Sequence, residues 1–235
     1  MTAGNYAEDG TRIDPPYGSP GYASTGTRQP KQPLVVLPER LAERNGPLFD
    51  MERIHGNLTD LTAQHPGGEP VGERINLSGR LLDGSGRPLA GQLIEIWQAN
   101  AAGRYAHAGD RHSAPLDPHF TGAGRTITGA DGSFNFLTIK PGPYPWHNNP
   151  NAWRPSHIHF SVFGRSFAER LITQMYFPGD PLLEYDPIFQ SIRSEKARAR
   201  LISSFDWETT QAEWAIGYRF DIVVGGHLAT PLEDL

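Results

Sequence analysis

An all-β fold is expected of this chain: an antiparallel β-sandwich core with long loops, an irregular N-terminal arm and a few short surface helices. Short strand-forming runs recur from about residue 72 onward, Gly-, Asp- and Pro-rich turn signals separate them, and no strand–helix alternation accompanies them. The cleanest run is WAIGYRFDIVVG. Its Ile216, Tyr218, Phe220, Ile222 and Val224 alternate with Ala215, Gly217, Arg219 and Asp221, the period of a strand with one buried face.

Taken in order, residues 1–70 are rich in Pro, Gly and polar residues and read as an arm. Within it, PPYGSPGYASTGTRQPKQP is extended in character, and LPERLAERNG is expected to form one short helix closed by Gly46. The Pro-Pro pair with Tyr17 and Tyr22 suits an arm lying across a partner subunit. The sandwich domain is expected over 71–235. ERINLSGRLLD and QLIEIWQA are two strands joined by a Gly-rich reversal, and SFNFLTI follows the turn signal GADG. SHIHFSVF and RLITQMYF complete the series before the last strand. Between them and that strand, DPIFQSIRSEKARARLISSF has helical spacing anchored by Ile188, Ile192 and Leu201, and its charge predicts a short surface helix.

Composition narrows the chemistry. The chain has 235 residues, enough for one large all-β domain with an attachment, and a formal net charge of -5, which suits neither a nucleic-acid nor an anionic-membrane partner. Cysteine is absent, so disulfides, zinc–thiolate sites and iron–sulfur clusters are excluded, and any metal must be held by His, Tyr, Asp or Glu. The N-terminus carries no basic and apolar leader pattern, and no apolar run approaches the roughly 20 residues of a membrane span. A cytoplasmic protein is expected.

One stretch stands apart from ordinary loop sequence: PYPWHNNPNAWRPSHIHF, residues 143–160. Pro141, Pro143, Pro145, Pro150 and Pro155 fix their own φ angles and restrict the residues before them. His157 and His159, two apart on an expected strand, leave the same face, as two ligands of one metal would. An H-x-H pair by itself is more often a pair of surface histidines, and Tyr144 by itself reads as a phenol packed in a turn. Delivery of all three by one rigid loop favours ligation. A hard trivalent ion favours an anionic oxygen donor, and a bound cation draws a phenol toward its deprotonated form. Two imidazoles with one or two tyrosinates therefore suit Fe(III) better than zinc or copper.

PGPYPW, WRP and HIHF, preceded by GRY and DP-x-F, resemble the intradiol aromatic-ring-cleaving dioxygenases. The likeness runs through PPYGSPGY, GERI, EIWQANAAGRY, APLDPHF, TIKPGPYPW, RPSHIHF, LITQMYFPGDPL and YRFDIV, nearly the whole chain. It is strongest to the iron-bearing β subunits of heteromeric members that act on protocatechuate. The resemblance implies a non-haem Fe(III) held by Tyr105, Tyr144, His157 and His159. Arg154 would lie beside the substrate ring, and Trp97, Trp146, Gln174 and Ile188 would surround iron and ring. Tyr144 would be the tyrosinate that leaves the metal and takes a substrate proton, and Arg154 the cation that stabilises charge on the ring. The expected partners are a related α subunit within a higher-order α/β oligomer, an aromatic diol and O2. The expected product is 3-carboxy-cis,cis-muconate.

Other readings compete. A catechol or hydroxyquinol enzyme would carry a long helical N-terminal region, which residues 1–70 lack. A non-enzymatic sandwich module would make HIH incidental, and a cupin would need a later carboxylate and histidine. His107, His112 and His119 are rival ligands without a rigidly spaced companion. Ala106 and His147 stand where arginine is commoner in the family, which bears on pocket charge.

Overall fold

The computed structural model describes residues 25–29, 31–32, 58–146, 152–163 and 170–232. The expected LPERLAERNG helix and His147 lie outside them. After a single helical turn, Thr25–Arg28 (α1), the strands are Arg74–Asp83 (β1), Leu93–Trp97 (β2), Ala123–Ile127 (β3) and Ser133–Ile139 (β4). They continue with Tyr144–Trp146 (β5), Ala152–Arg154 (β6), His157–Phe163 (β7), Arg170–Tyr176 (β8), Ser204–Phe205 (β9), Ile216–Arg219 (β10) and Ile222–Val224 (β11).

Two sheets face each other. In the first, β1 pairs with β4 on one edge and with β10 and β11 on the other, and β9 follows β10. The second runs β3-β2-β7-β8 and is antiparallel throughout. Alternation along β1 sends Ile75, Leu77 and Leu81 inward, where they meet Phe134 and Phe136 of β4 and Ile94, Ile96, Ile158, Phe160 and Val162 of the facing sheet. Each such side chain contributes about 1.5–3 kcal/mol through its burial. Leu58 and Asp60 bridge to β3 and β4, and Leu61 is fully buried in this core, so packing begins upstream of residue 71.

Among the named strands, β10 and β11 depart from antiparallel pairing and run parallel to β1. They reach β1 across the whole domain, so no tight turn imposes an antiparallel partner. The expected single C-terminal strand is also two. At the break, Asp221 Oδ1 accepts the Arg80 N–H at 2.9 Å, replacing one main-chain rung, while the register on β1 is kept on both sides. Tyr218, Phe220 and Ile222 still point inward and Arg219 and Asp221 outward.

The helical segment also differs from expectation. It divides into a 3-10 turn, Pro181–Glu184, and two short helices, Pro187–Ser191 (α2) and Glu195–Ala199 (α3), capped by Asp180, Asp186 and Ser194. The helices lie at the surface with one face exposed, and on the other Leu183, Phe189, Ile192, Ala197 and Leu201 form a second apolar cluster with Tyr176 of β8. Phe189, rather than Ile188, is the buried anchor of α2. Among the described residues, no helix is long and apolar enough to cross a membrane.

Candidate active site

Strand β7 is buried along nearly its whole length because both of its faces are covered. Ile158, Phe160 and Val162 enter the sandwich core, so the alternate residues His157 and His159 share the opposite face. Strand register then assembles a row across three strands. His159 is the cross-strand partner of Trp97 on β2 and of Gln174 on β8, and His157 is the partner of Tyr176. The Trp97 indole lies parallel to the His159 ring, with centroids 4.7 Å apart. Over this face folds the small hairpin of β5 and β6, which sets Tyr144 directly opposite Arg154.

Tyr105 arrives from the loop after β2, on a turn built by Asn100. The Asn100 side-chain oxygen accepts the N–H groups of Ala102 at 2.9 Å and Arg104 at 3.0 Å, and its carbonyl accepts those of Gly103 and Gly142. One buried asparagine thus ties the Tyr105 loop to the Tyr144 loop. Close approach of the two demands glycine twice. A Cβ on Gly103, whose φ is 77°, would lie 2.2 Å from the Pro143 carbonyl oxygen, and one on Gly142 would lie 2.3 Å from that of Ala101. Asp110 Oδ2 accepts the Tyr105 N–H at 2.8 Å and completes the support.

Four donor atoms consequently converge. Tyr144 Oη lies 3.4 Å from His157 Nε2, His157 Nε2 lies 3.2 Å from His159 Nε2, and His159 Nε2 lies 3.1 Å from Tyr105 Oη. Ligands about 2 Å from a common ion are spaced by about 3 Å, so these separations fit one metal. His157 Nδ1 is 2.7 Å from the Pro155 carbonyl, which can only accept. The proton is therefore on Nδ1 and the lone pair of Nε2 faces the cluster. Burial, followed by the charge of Arg154 and the Coulombic influence of the neighbouring His159, holds the His157 pKa well below its ordinary value, which favours the neutral imidazole that a metal ligand requires. Among the described residues, no group of three or more His, Cys, Asp or Glu could hold a metal. A metal in this cluster would need the two phenol oxygens.

Beside the cluster, Arg154 is 2% exposed and pairs with the fully buried Asp186, Nε to Oδ1 at 2.9 Å. The guanidinium also donates to Gln174 Oε1 and lies over the Trp146 ring, 5.6 Å from its centroid. Ile188, on α2, shares a small cavity with Gln174 and Tyr176. Tyr105, Tyr144, His157 and His159 are thus drawn together, Trp97 and Gln174 lie beside His159, and Trp146 lies against Arg154, whereas Ile188 shares a cavity that none of the four lines. The loop histidines take no part in that cluster; exposed His107 accepts the Gly109 N–H through Nδ1. Asn100, Tyr176 and Asp186 escaped the sequence reading. Asn100 and Asp186 carry turn and helix-cap signals, but nothing in the local sequence reveals their second contacts.

The chain belongs to the intradiol ring-cleavage dioxygenase family. A family model described as "Dioxygenase" matches residues 45–226, and another, "Protocatechuate 3,4-dioxygenase beta subunit N terminal", matches residues 6–40. The chain is 56% identical over 220 residues to the protocatechuate 3,4-dioxygenase beta chain of Burkholderia cepacia, covering 93% of each. It is 29% identical to the alpha chain of Pseudomonas putida protocatechuate 3,4-dioxygenase, over 86% of this chain and 99% of that one. Among solved structures, 3-chlorocatechol 1,2-dioxygenase from Rhodococcus opacus 1CP has a TM-score of 0.52 at 27% identity, covering 67% of this chain and 62% of that one. The dioxygenase domain of a carbohydrate-binding fusion from Streptomyces sp. SirexAA-E has a TM-score of 0.51 at 28% identity, covering 72% and 87%.

Proposed function

We propose that this chain is the iron-bearing β subunit of a heteromeric protocatechuate 3,4-dioxygenase, which cleaves protocatechuate with O2 to 3-carboxy-cis,cis-muconate. The observation that carries the reading is the convergence of two phenol oxygens and two imidazole nitrogens at separations of 3.1–3.4 Å. The close similarity to the Burkholderia cepacia beta chain supports the substrate, and the likeness to an alpha chain supports a related α partner in a higher-order α/β assembly.

Tyr105, Tyr144, His157 and His159 would hold non-haem Fe(III). When bound, iron would supply Lewis acidity that favours loss of both catechol protons and so activates the ring toward dioxygen. The protein's own residues divide the remaining work. Tyr144 Oη, carried on a two-strand hairpin outside the main sheets, takes one of the two protons that the substrate hydroxyls lose. Tyr105 stays anionic, and with it the charge of the donor set favours the ferric state. Trp97, stacked on His159, fixes that imidazole's plane. Arg154, held in a buried site, offers a fixed positive charge to the ring as negative charge develops there. Trp146, Gln174 and Ile188 wall the ring. Within residues 1–70 the subunit-contacting arm ends where residues 58–61 join the catalytic domain of 71–235, and the assembly works in the cytoplasm.

Purified with iron, the α/β complex should be burgundy to red-brown from tyrosinate-to-iron charge transfer, and Tyr105→Phe should shift or weaken that band. A colourless complex replete in iron would refute the donor set. Expressed without an α partner, the chain should turn over protocatechuate weakly or not at all, whereas a fully active homomer would contradict the heteromer.

A further inference from the structure

We infer that Asp186, assisted by Tyr176, is a positioning residue for ring cleavage: its buried carboxylate sets the plane of the Arg154 guanidinium, the sense of the Gln174 amide and the start of the helix that carries Ile188. This rests on the reading of Arg154 as the cation that faces the ring. Neither Asp186 nor Tyr176 is at the cluster of iron donors through its own carboxylate or hydroxyl, so both would act through other side chains.

The contacts are unusually complete for one carboxylate. Asp186 is 0% exposed. Its Oδ2 accepts from Arg154 Nη2 at 3.2 Å and its Oδ1 lies 2.9 Å from Arg154 Nε at ion-pair distance, so the guanidinium is held by one hydrogen bond and a close charge contact on the same carboxylate. As the cap of α2, Oδ1 also accepts the Ile188 N–H at 3.4 Å. One group therefore ties the orientation of the buried cation to the backbone of the pocket wall.

Gln174 is oriented by the same network. A guanidinium only donates, so the Gln174 atom that faces Arg154 Nη2 is the carbonyl oxygen. Tyr176 Oη lies 2.8 Å from that oxygen and 3.1 Å from Asp186 Oδ2, and its single proton serves one or the other at a time. The amide is thereby held with Nε2 as its remaining donor, and Nε2, though buried, has no hydrogen-bond partner among the described residues. A buried ion pair alone would be weak evidence for a role beyond folding. What distinguishes this one is that Arg154 and the Ile188 backbone contact the same carboxylate directly, and Gln174 is linked to it through Arg154 and Tyr176.

The test uses the iron-loaded α/β complex. Asp186→Asn should lower kcat by about a hundredfold, the scale of a reacting group displaced by about 1 Å, with a smaller change in KM. Iron content, the resting visible band and the spectral change on anaerobic addition of protocatechuate should be retained. Tyr176→Phe, which removes only a hydroxyl, should lower kcat by about tenfold with the same spectra, and it serves if Asp186→Asn does not fold. In an Arg154→Met background, either substitution should cost little more, because the group being positioned is gone. Wild-type kcat in folded, iron-loaded Asp186→Asn or Tyr176→Phe would overturn the inference. So would losses that persist in full in the Arg154→Met background. Failure of the parent reading would look different: unimpaired turnover by Arg154→Met itself, which would remove the basis of this inference as well.

Discussion

His159 stands between Trp97 and Gln174 on neighbouring strands, with its Nε2 between His157 Nε2 and Tyr105 Oη. Replacing it by alanine removes a donor and leaves the Trp97 face without its stacked partner. His159→Ala is expected to bleach the iron band, lower iron occupancy and reduce turnover by more than about a hundredfold, while the sandwich still folds. Metal analysis and the visible spectrum check this, and a red, iron-replete alanine variant would contradict the assignment. The histidine pair was legible because a strand has period two, so H-x-H carries its own geometry. Tyr105 was not legible in that way. It is 54 residues from His159 in sequence, and only the resemblance to known ring-cleaving enzymes pointed to it. Asp186, 32 residues from Arg154, gave a readable helix-cap signal and no sign of its ion pair, which depends on how the 181–199 segment packs back on β8.

At the scale of elements, the active site depends on two loops meeting. The turn after β2 and the approach to β5 touch through Gly103 and Gly142, and no side chain could replace either hydrogen at those separations. Gly103→Ala places a Cβ at positive φ and against the Pro143 carbonyl, at a cost of about 1–3 kcal/mol. Strain there acts on the Tyr105–Tyr144 spacing rather than on the sandwich. The expected outcome is a folded variant with weaker iron binding and a displaced visible band, measured by iron titration and spectroscopy. Unchanged iron affinity would count against the coupling of the two loops. Strands β1, β2, β4, β7 and β8 were readable from their strand-forming runs. The segment at 186–205 was readable in part: Ile192 and Leu201 are the buried anchors their spacing suggested, but the break into two helices, the burial of Phe189 and the packing on Tyr176 were not. Period alone does not say what lies opposite.

For the whole molecule, the expected sandwich forms, but the parallel placement of β10 and β11 on β1 was invisible, since strand direction is set by the path of the entire domain. That closure carries an acid-sensitive contact. Asp206, between β9 and β10, accepts from Glu208 N at 3.0 Å and from the Ser78 hydroxyl of β1 at 3.2 Å. Burial raises its pKa, but the adjacent Thr209 side chain and these hydrogen bonds outweigh burial and hold the carboxyl below the usual value of 3.8. A depressed folded-state pKa stabilises the fold above the unfolded value, and that contribution is lost as pH falls through the folded one. Asp206→Asn should therefore lose about 1 kcal/mol near neutral pH and fall less steeply in stability than wild type between about pH 5 and pH 3. Denaturant melts across that range decide it; parallel curves would assign the acid sensitivity to other carboxylates.

The proposed role of the whole assembly turns on which diol is consumed and where its ring opens. The α/β complex, loaded with iron, should take up one O2 per protocatechuate and release 3-carboxy-cis,cis-muconate, with catechol a much poorer substrate. Oxygen uptake measured alongside product identification gives both answers at once. Faster turnover of catechol, cleavage outside the two hydroxyl-bearing carbons, or no oxygen uptake by the iron-replete complex would contradict it.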